Sequence, residues 1–211
     1  MRVKTSWHFA QMGLFRSLFL WAIAVVFTTT YNTNAAANAG VSITVKNRPF
    51  LVSGNSIGAV VRSMKRNGPF SEDHGRRAIG LADYRYRTSV TTKKKKGRCH
   101  VVSVRITMTI FYFLPTLSNS SRLSARDTSS WRRIERAIRN HEHQHGRNYR
   151  RLARELQGSI ANMKPQNNCR EVRKLERRIR ARLEKADKSR NRNYDRATYG
   201  GINRLLKRTR R

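Results

Sequence analysis

The sequence predicts an α+β fold: a small antiparallel sheet with one long hairpin, packed on an antiparallel pair of long helices. Three observations predict it. Two stretches of two-residue alternation, around Tyr84 to Val90 and from Cys99 to Leu114, flank a Lys/Gly-rich turn. Two later stretches, near 129–163 and 169–197, repeat apolar residues at three- and four-residue steps. A short connection containing Pro165 separates them, which makes them antiparallel neighbours.

The elements follow in order. Val41, Ile43 and Val45 alternate with Ser42, Thr44 and Lys46, giving a first strand. Phe50-Leu51-Val52 either continues it or forms a second short one. Gly54-Asn55-Ser56 supplies capping residues for a helix carrying Ile57, Val60, Val61 and Met64, ended by Gly68-Pro69. Residues 70–80 read as a loop. In the hairpin, Tyr84, Tyr86, Thr88 and Val90 form one face of the first strand. Val102, Val104, Ile106, Met108, Ile110 and Tyr112 form one face of the second. Lys93 to Arg98 make the basic turn, read as a solvated hairpin tip in preference to a recognition patch. Pro115 ends the strand, and Ser118-Asn119-Ser120-Ser121 is linker. On the first long helix the apolar stripe passes through Trp131, Ile134, Ile138, His141, His145, Tyr149, Leu152, Leu156 and Ile160, so both histidines fall on the buried side. The second long helix carries Val172, Leu175, Ile179, Leu183 and Ala186 on one side, and residues 203–211 form a frayed basic tail.

Residues 1–39 read as a secretory leader outside this domain, which spans 40–202. Arg2, Lys4 and Arg16 precede an apolar run from Ser17 to Phe27, and Ala-x-Ala patterns end at Ala37 and Ala39. The run is short for a bilayer span, which needs about 20 apolar residues, so cleavage and secretion or a periplasmic location are expected, with an N-terminal membrane anchor as the alternative. Export bears on the two cysteines. An oxidising compartment favours joining Cys99 to Cys169, two free buried thiols being the other reading, and no C-x-x-C spacing suggests a metal.

The chain carries 46 Lys+Arg against 12 Asp+Glu, a formal net charge of +34. Such a surface attracts anionic polymers and lipid surfaces non-specifically. No zinc-finger spacing, aromatic RNP-like strand or P-loop is present, so no specific nucleic-acid partner is predicted.

The chemistry concentrates in His141-Glu142-His143-Gln144-His145, an H-E-x-x-H on a helix. Histidines four apart share a face and can reach one metal ion. Zn²⁺ suits imidazole, and Glu142 is then placed to take a proton from water at the metal. A catalytic zinc needs a third protein ligand. Asn148 and Arg151 stand where the metzincin extension requires Gly and His. The remaining candidates are Glu171, Glu176, Glu184 and Asp195. His143 points away from His141 and His145. His74 and His100 are isolated. Tyr194 and Tyr199 could donate to an oxyanion, core packing being the simpler role for Tyr194.

A series of landmarks runs through residues 41–201. Val52-Ser53-Gly54 precedes a helix ending in Gly68-Pro69. Tyr84 and Tyr86 share a strand, followed by Gly97-Arg98-Cys99 and a strand ending in Leu114-Pro115. Trp131 precedes the H-E-x-x-H; Cys169 and then Tyr194-Asp195-Arg196-Ala197-Thr198-Tyr199-Gly200-Gly201 follow. In this order they resemble a family of bacterial secreted proteins regarded as zinc-dependent proteases, catalogued as domain-of-unknown-function family 922. The resemblance implies zinc held by His141 and His145, Glu142 as general base and a Cys99–Cys169 disulfide. One departure matters. Members of that family tend to read Tyr-Asp-x-x-Thr-x-His-Gly, and Gly200 stands where that His would fall. Asp195 is retained and is the preferred third ligand, with Tyr199 as a transition-state stabiliser.

These readings lead to an exported zinc metallopeptidase acting on an unspecified peptide or protein. The alternatives are a catalytically silent envelope protein of the same fold and a polycation binding nucleic acid or another anionic polymer.

Overall fold

The computed structural model describes residues 40–72 and 75–208. The expected leader at 1–39 lies outside the described residues, as does His74. Ten elements follow in order: β1 (Gly40–Asn47), β2 (Phe50–Val52), α1 (Ile57–Asn67), β3 (Phe70–Ser71), β4 (Arg76–Arg77), β5 (Leu81–Lys95), β6 (Arg98–Phe113), β7 (Pro115–Leu117), α2 (Ala125–Ala161) and α3 (Cys169–Arg208). The class is α+β. No helix among the described residues is long and apolar enough to cross a membrane.

The main sheet has the order β1-β6-β5, with β5 and β6 forming the long hairpin. It is mixed, not wholly antiparallel, because β1 pairs with β6 in parallel, Gly40 opposite Arg105 through Asn47 opposite Tyr112. The chain reaches this parallel register by passing through α1 before it returns as β5, the long crossover a parallel pair requires. Phe50-Leu51-Val52 forms a separate short strand, the second of its two readings. Three others were not legible: residues 70–80 contain the β3/β4 pair, and Pro115, expected as a stop, opens β7, which pairs with β2. Proline is tolerated at the first position of a strand.

Alternation along β6 breaks at one residue. Thr91 pairs with Ser103 but Thr92 with Val101, so Val102 is an unpaired bulge residue. Val102 was expected on the core face with Val104; it is 42% exposed, while Val104, Ile106, Met108 and Ile110 are fully buried. The inserted residue shifts the parity of everything beyond it, which turns Cys99 inward at 0% exposure.

Caps define the helices. Ser56 Oγ accepts from Ala59 N–H, Ser124 Oγ from Asp127 N–H, and Asn168 Oδ1 from Glu171 N–H. The Ser124 cap starts α2 about one turn earlier than apolar spacing indicates. Cys99 and Gln166 exchange backbone hydrogen bonds of 2.8 and 3.0 Å, and Cys99 is disulfide-bonded to Cys169. The hairpin end is thus tied to the α2–α3 connection. Closing a loop of 70 residues stabilises by about 4 kcal/mol in the chain-entropy model.

Two hydrophobic clusters share α2. One joins the sheet to Tyr149, Leu152, Leu156 and Ile160 of α2 and Ile179 of α3. The other joins α1 to Trp131, Ile134 and Ile138 of α2 and Ile202 and Leu206 of α3. The expected frayed tail is therefore helix through Arg208, because burial of Ile202 and Leu206 outweighs the helix-breaking tendency of Gly200-Gly201. Between the two clusters the α2–α3 interface is polar, and this seam holds the H-E-x-x-H.

Candidate metal centre

At the seam three ligand atoms converge. His141 Nε2 lies 3.0 Å from Asp195 Oδ1, His145 Nε2 lies 2.9 Å from the same oxygen, and the two Nε2 atoms are 3.1 Å apart. His141 and His145 are buried, and Asp195 is partly exposed. Antiparallel packing brings α3 residue 195 opposite the α2 residues, which no local sequence pattern specifies.

The partners of the opposite ring nitrogens fix the chemistry at this triangle. Asn191 Nδ2 donates to Asp187 Oδ2 (2.9 Å), and Asn191 Oδ1 accepts from Asn148 Nδ2 (2.7 Å). That amide oxygen can therefore only accept from His145 Nδ1, at 2.9 Å. Likewise Thr198 Oγ1 donates its proton to Tyr194 O (2.7 Å), so it accepts from His141 Nδ1 at 3.1 Å. With both Nδ1 atoms carrying protons, each neutral imidazole points a bare Nε2 lone pair at the other and at a carboxylate. Three acceptors about 3 Å apart repel unless a proton or cation lies among them. Tetrahedral zinc with bonds of 2.0–2.2 Å separates its ligands by about 3.3–3.6 Å, so a shift of a few tenths of an ångström would admit it. The His-His-Asp group can hold a metal ion.

In the absence of a cation a proton can take its place. Burial acts to raise the Asp195 pKa, but hydrogen bonds from the imidazoles once Nε2 is protonated, and their charge, outweigh it and hold the carboxyl well below its usual range. Burial acts to lower the His145 pKa, and Asp195 and Asn191 outweigh it, so the net shift is upward. Glu142 is 5% exposed and lies outside the ligand triangle. Burial raises its pKa, opposed by the two imidazoles and by the Ala82 backbone N–H that it accepts from. The other end of the same residue, Ala82 O, accepts from Tyr149 O–H at 3.0 Å, so α2 grips β5 through one residue. Gly80 permits this approach. A Cβ there would lie 2.5 Å from Ile138 Cγ2 and 3.1 Å from Glu142 Oε1.

His141, Glu142, His145 and Asp195 all line one cleft of about 740 Å³, bounded by β5 and α3. Tyr199 also lines it, its ring edge-on to His141 at 5.2 Å between centroids. Burial and the carboxylates of Glu142 and Asp195 raise its pKa, so it keeps its proton. Tyr194 stacks on His141 at 4.9 Å.

Other expected residues fall elsewhere. Glu184 is engaged with Tyr86 and Glu176 with Arg180, and Glu171 accepts from Nδ2 of Asn168, the cap of α3. His143 packs on Tyr112 at 4.8 Å between ring centroids, away from the triangle. Gly200 is also remote. Five residues beyond Asp195, at about 100° per residue, it points roughly 140° away from the triangle. A Cβ there would meet only Arg204, at 3.7 Å. The triangle is complete without that position. Asn148, Asp187, Asn191 and Thr198 were not recognised as site residues. The available signal was the polar stripe Asp187, Asn191, Asp195, Thr198 at helical steps along α3, facing His141, His145 and Asn148 on α2.

No curated protein and no solved structure matches the chain. A family model, described as bacterial protein of unknown function (DUF922), matches residues 47–201, and over this span, which holds the β5–β6 hairpin, the His141-His145-Asp195 triangle and its supports, the chain belongs to that family.

Proposed function

We propose that this protein is an exported, zinc-dependent peptide hydrolase. The observation that carries the reading is the His141-His145-Asp195 triangle of unprotonated ligand atoms, open to a cleft that also receives the buried carboxylate of Glu142. The donor set favours zinc: two imidazoles and one carboxylate, with one position left for water. Zinc bound there would supply a Lewis acid that lowers the pKa of water towards ~7 and polarises the scissile carbonyl.

The remaining steps belong to the chain. Glu142, held by the Ala82 amide and raised in pKa by burial, accepts a proton from the attacking water and returns it to the leaving amine. The protonated Tyr199 hydroxyl donates to the oxygen that gains charge. Asn191 and Thr198 hold the two imidazoles in the tautomer that leaves Nε2 free. The Cys99–Cys169 bond accords with export, since such bonds persist in oxidising compartments.

The test is a pair of measurements on purified protein. One equivalent of zinc is expected, lost in His145→Ala. Hydrolysis of an unstructured protein substrate is expected to fall 10²–10⁴-fold, or about that, in Glu142→Gln while zinc stays bound. Absence of zinc at equimolar exposure overturns the metal reading. Zinc without hydrolysis leaves the silent-protein alternative.

A further inference from the structure

A second cavity, of about 680 Å³, adjoins the metal cleft, and Ala78, Asp195 and Tyr199 line both. The metal triangle therefore sits at the boundary of two compartments with different charge. The first contains Glu184 and Asp187 alongside its lysines and arginine. The second receives Lys65 from the last turn of α1, Arg76 and Arg77 from β4, and Arg196 from α3. Among the described residues Asp195 is its only acid, and that carboxylate is committed to the triangle.

Among the described residues none of these four cations pairs with a carboxylate. Arg77 donates to Gly68 O at 2.8 Å and Arg196 to Asn193 Oδ1, both neutral acceptors. Ile79 and Leu206, 9% and 6% exposed, form the back of the cavity. Four like charges brought by three elements onto one concave wall repel one another, and an apolar backing strengthens the field they project. All four side chains are exposed, and what distinguishes this wall from the general positive surface is its apolar backing and the lining it shares with the metal cleft.

We propose that this compartment is a recognition subsite for a carboxylate of the peptide being cleaved. Arginine matches carboxylate geometry, and Arg76 lies close enough to Tyr199 to act on its hydroxyl electrostatically. A bound carboxylate would thus sit on the side of the cleft where Tyr199 meets the metal triangle. The carboxylate could belong to an internal Asp or Glu or to the peptide's own C-terminus. This inference rests on the peptidase reading for its substrate class.

The test uses the zinc-loaded full chain carrying Glu142→Gln, titrated calorimetrically at physiological salt. Three otherwise neutral peptides of equal length serve as probes: one with an internal Glu and an amidated C-terminus, one with a free C-terminus, and one amidated with no acid. At least one carboxylate peptide is expected to bind about tenfold more tightly than the neutral one. Whichever does so identifies the source of the carboxylate. Adding Lys65→Glu and Arg76→Glu, at side chains with no hydrogen-bond partner among the described residues, is expected to erase the advantage. Adding Arg170→Glu and Arg173→Glu, at the far end of α3, is expected to preserve it. Should the charge reversal unfold the protein, Lys65→Gln with Arg76→Gln is expected to shrink the advantage severalfold. Equal binding of the three peptides overturns the subsite, as does equal loss in the two charge-reversed proteins. Carboxylate-selective binding without cleavage by the Glu142-intact protein would refute the peptidase reading alone. Cleavage indifferent to carboxylates would refute the subsite alone.

Discussion

Asn191 shows how much of the site depends on residues that never touch a metal. Its amide is oriented by Asp187 and Asn148, and that orientation fixes the proton on His145. Asn191→Ala is expected to weaken zinc binding by about 10–100-fold, read by competition with a chromophoric chelator, while the helical circular dichroism is kept. The metal-free protein should also respond to pH in a defined direction. The folded-state pKa of His145 is raised, so its pairing with Asp195 stabilises fully below about pH 6.5 and is lost as pH rises through the raised value. Asp187 behaves alike: burial lifts it to about 6, so its deprotonation between roughly pH 4 and 6 costs stability. Asp195 works in the opposite sense, its lowered pKa giving stability above about pH 4 that is lost on acidification. With chelator present, the melting temperature is expected to decline as pH rises above about 6.5. Added zinc should remove that decline, because it occupies the lone pairs that the proton otherwise takes.

Among the elements, the contact of α2 with the start of β5 sets the position of Glu142, the proposed general base. Ala82 gives its N–H to Glu142 and its carbonyl to Tyr149, and Gly80 clears the space. Gly80→Ala would force Ile138 and Glu142 back. The expected outcome is a kcat lowered by roughly tenfold or more with zinc stoichiometry unchanged, since misplacement by about 1 Å can cost 10²-fold. The same scale shows what periodicity could reveal. The hairpin and both long helices were legible because each buries one face over many residues, and the apolar spacing records that burial. The bulge at Val102 was not, because a one-residue insertion leaves both flanking stretches alternating normally. The parallel pairing of β1 was not either, since an isolated alternating strand carries no information about its neighbour's direction.

At the scale of the molecule, the charge of +34 is spread over both long helices and the hairpin tip. Binding to heparin or duplex nucleic acid is expected to be tight at low salt and to weaken steeply on raising it. No sequence preference is expected in competition experiments, because counterion release supplies the affinity. A sequence preference surviving at about 0.2 M salt would refute that expectation.

His141, Glu142 and His145 were legible as a group because a helix places residues four apart on one face by its own geometry. A third group beside them was not so fixed: the residues left Glu171, Glu176, Glu184 and Asp195 open, and only family resemblance favoured one. Tertiary structure brings Asp195 to the two imidazoles. Antiparallel packing of α3 on α2, held by one apolar cluster on each side of the seam, sets which residue of a 40-residue helix lies opposite His141 and His145. The sequence by itself determined the periodicities, the two histidines on one helix face and the charge; the register between two distant helices, and with it the His141-His145-Asp195 triangle and its hydrogen-bonded supports, exists only once both cores are packed.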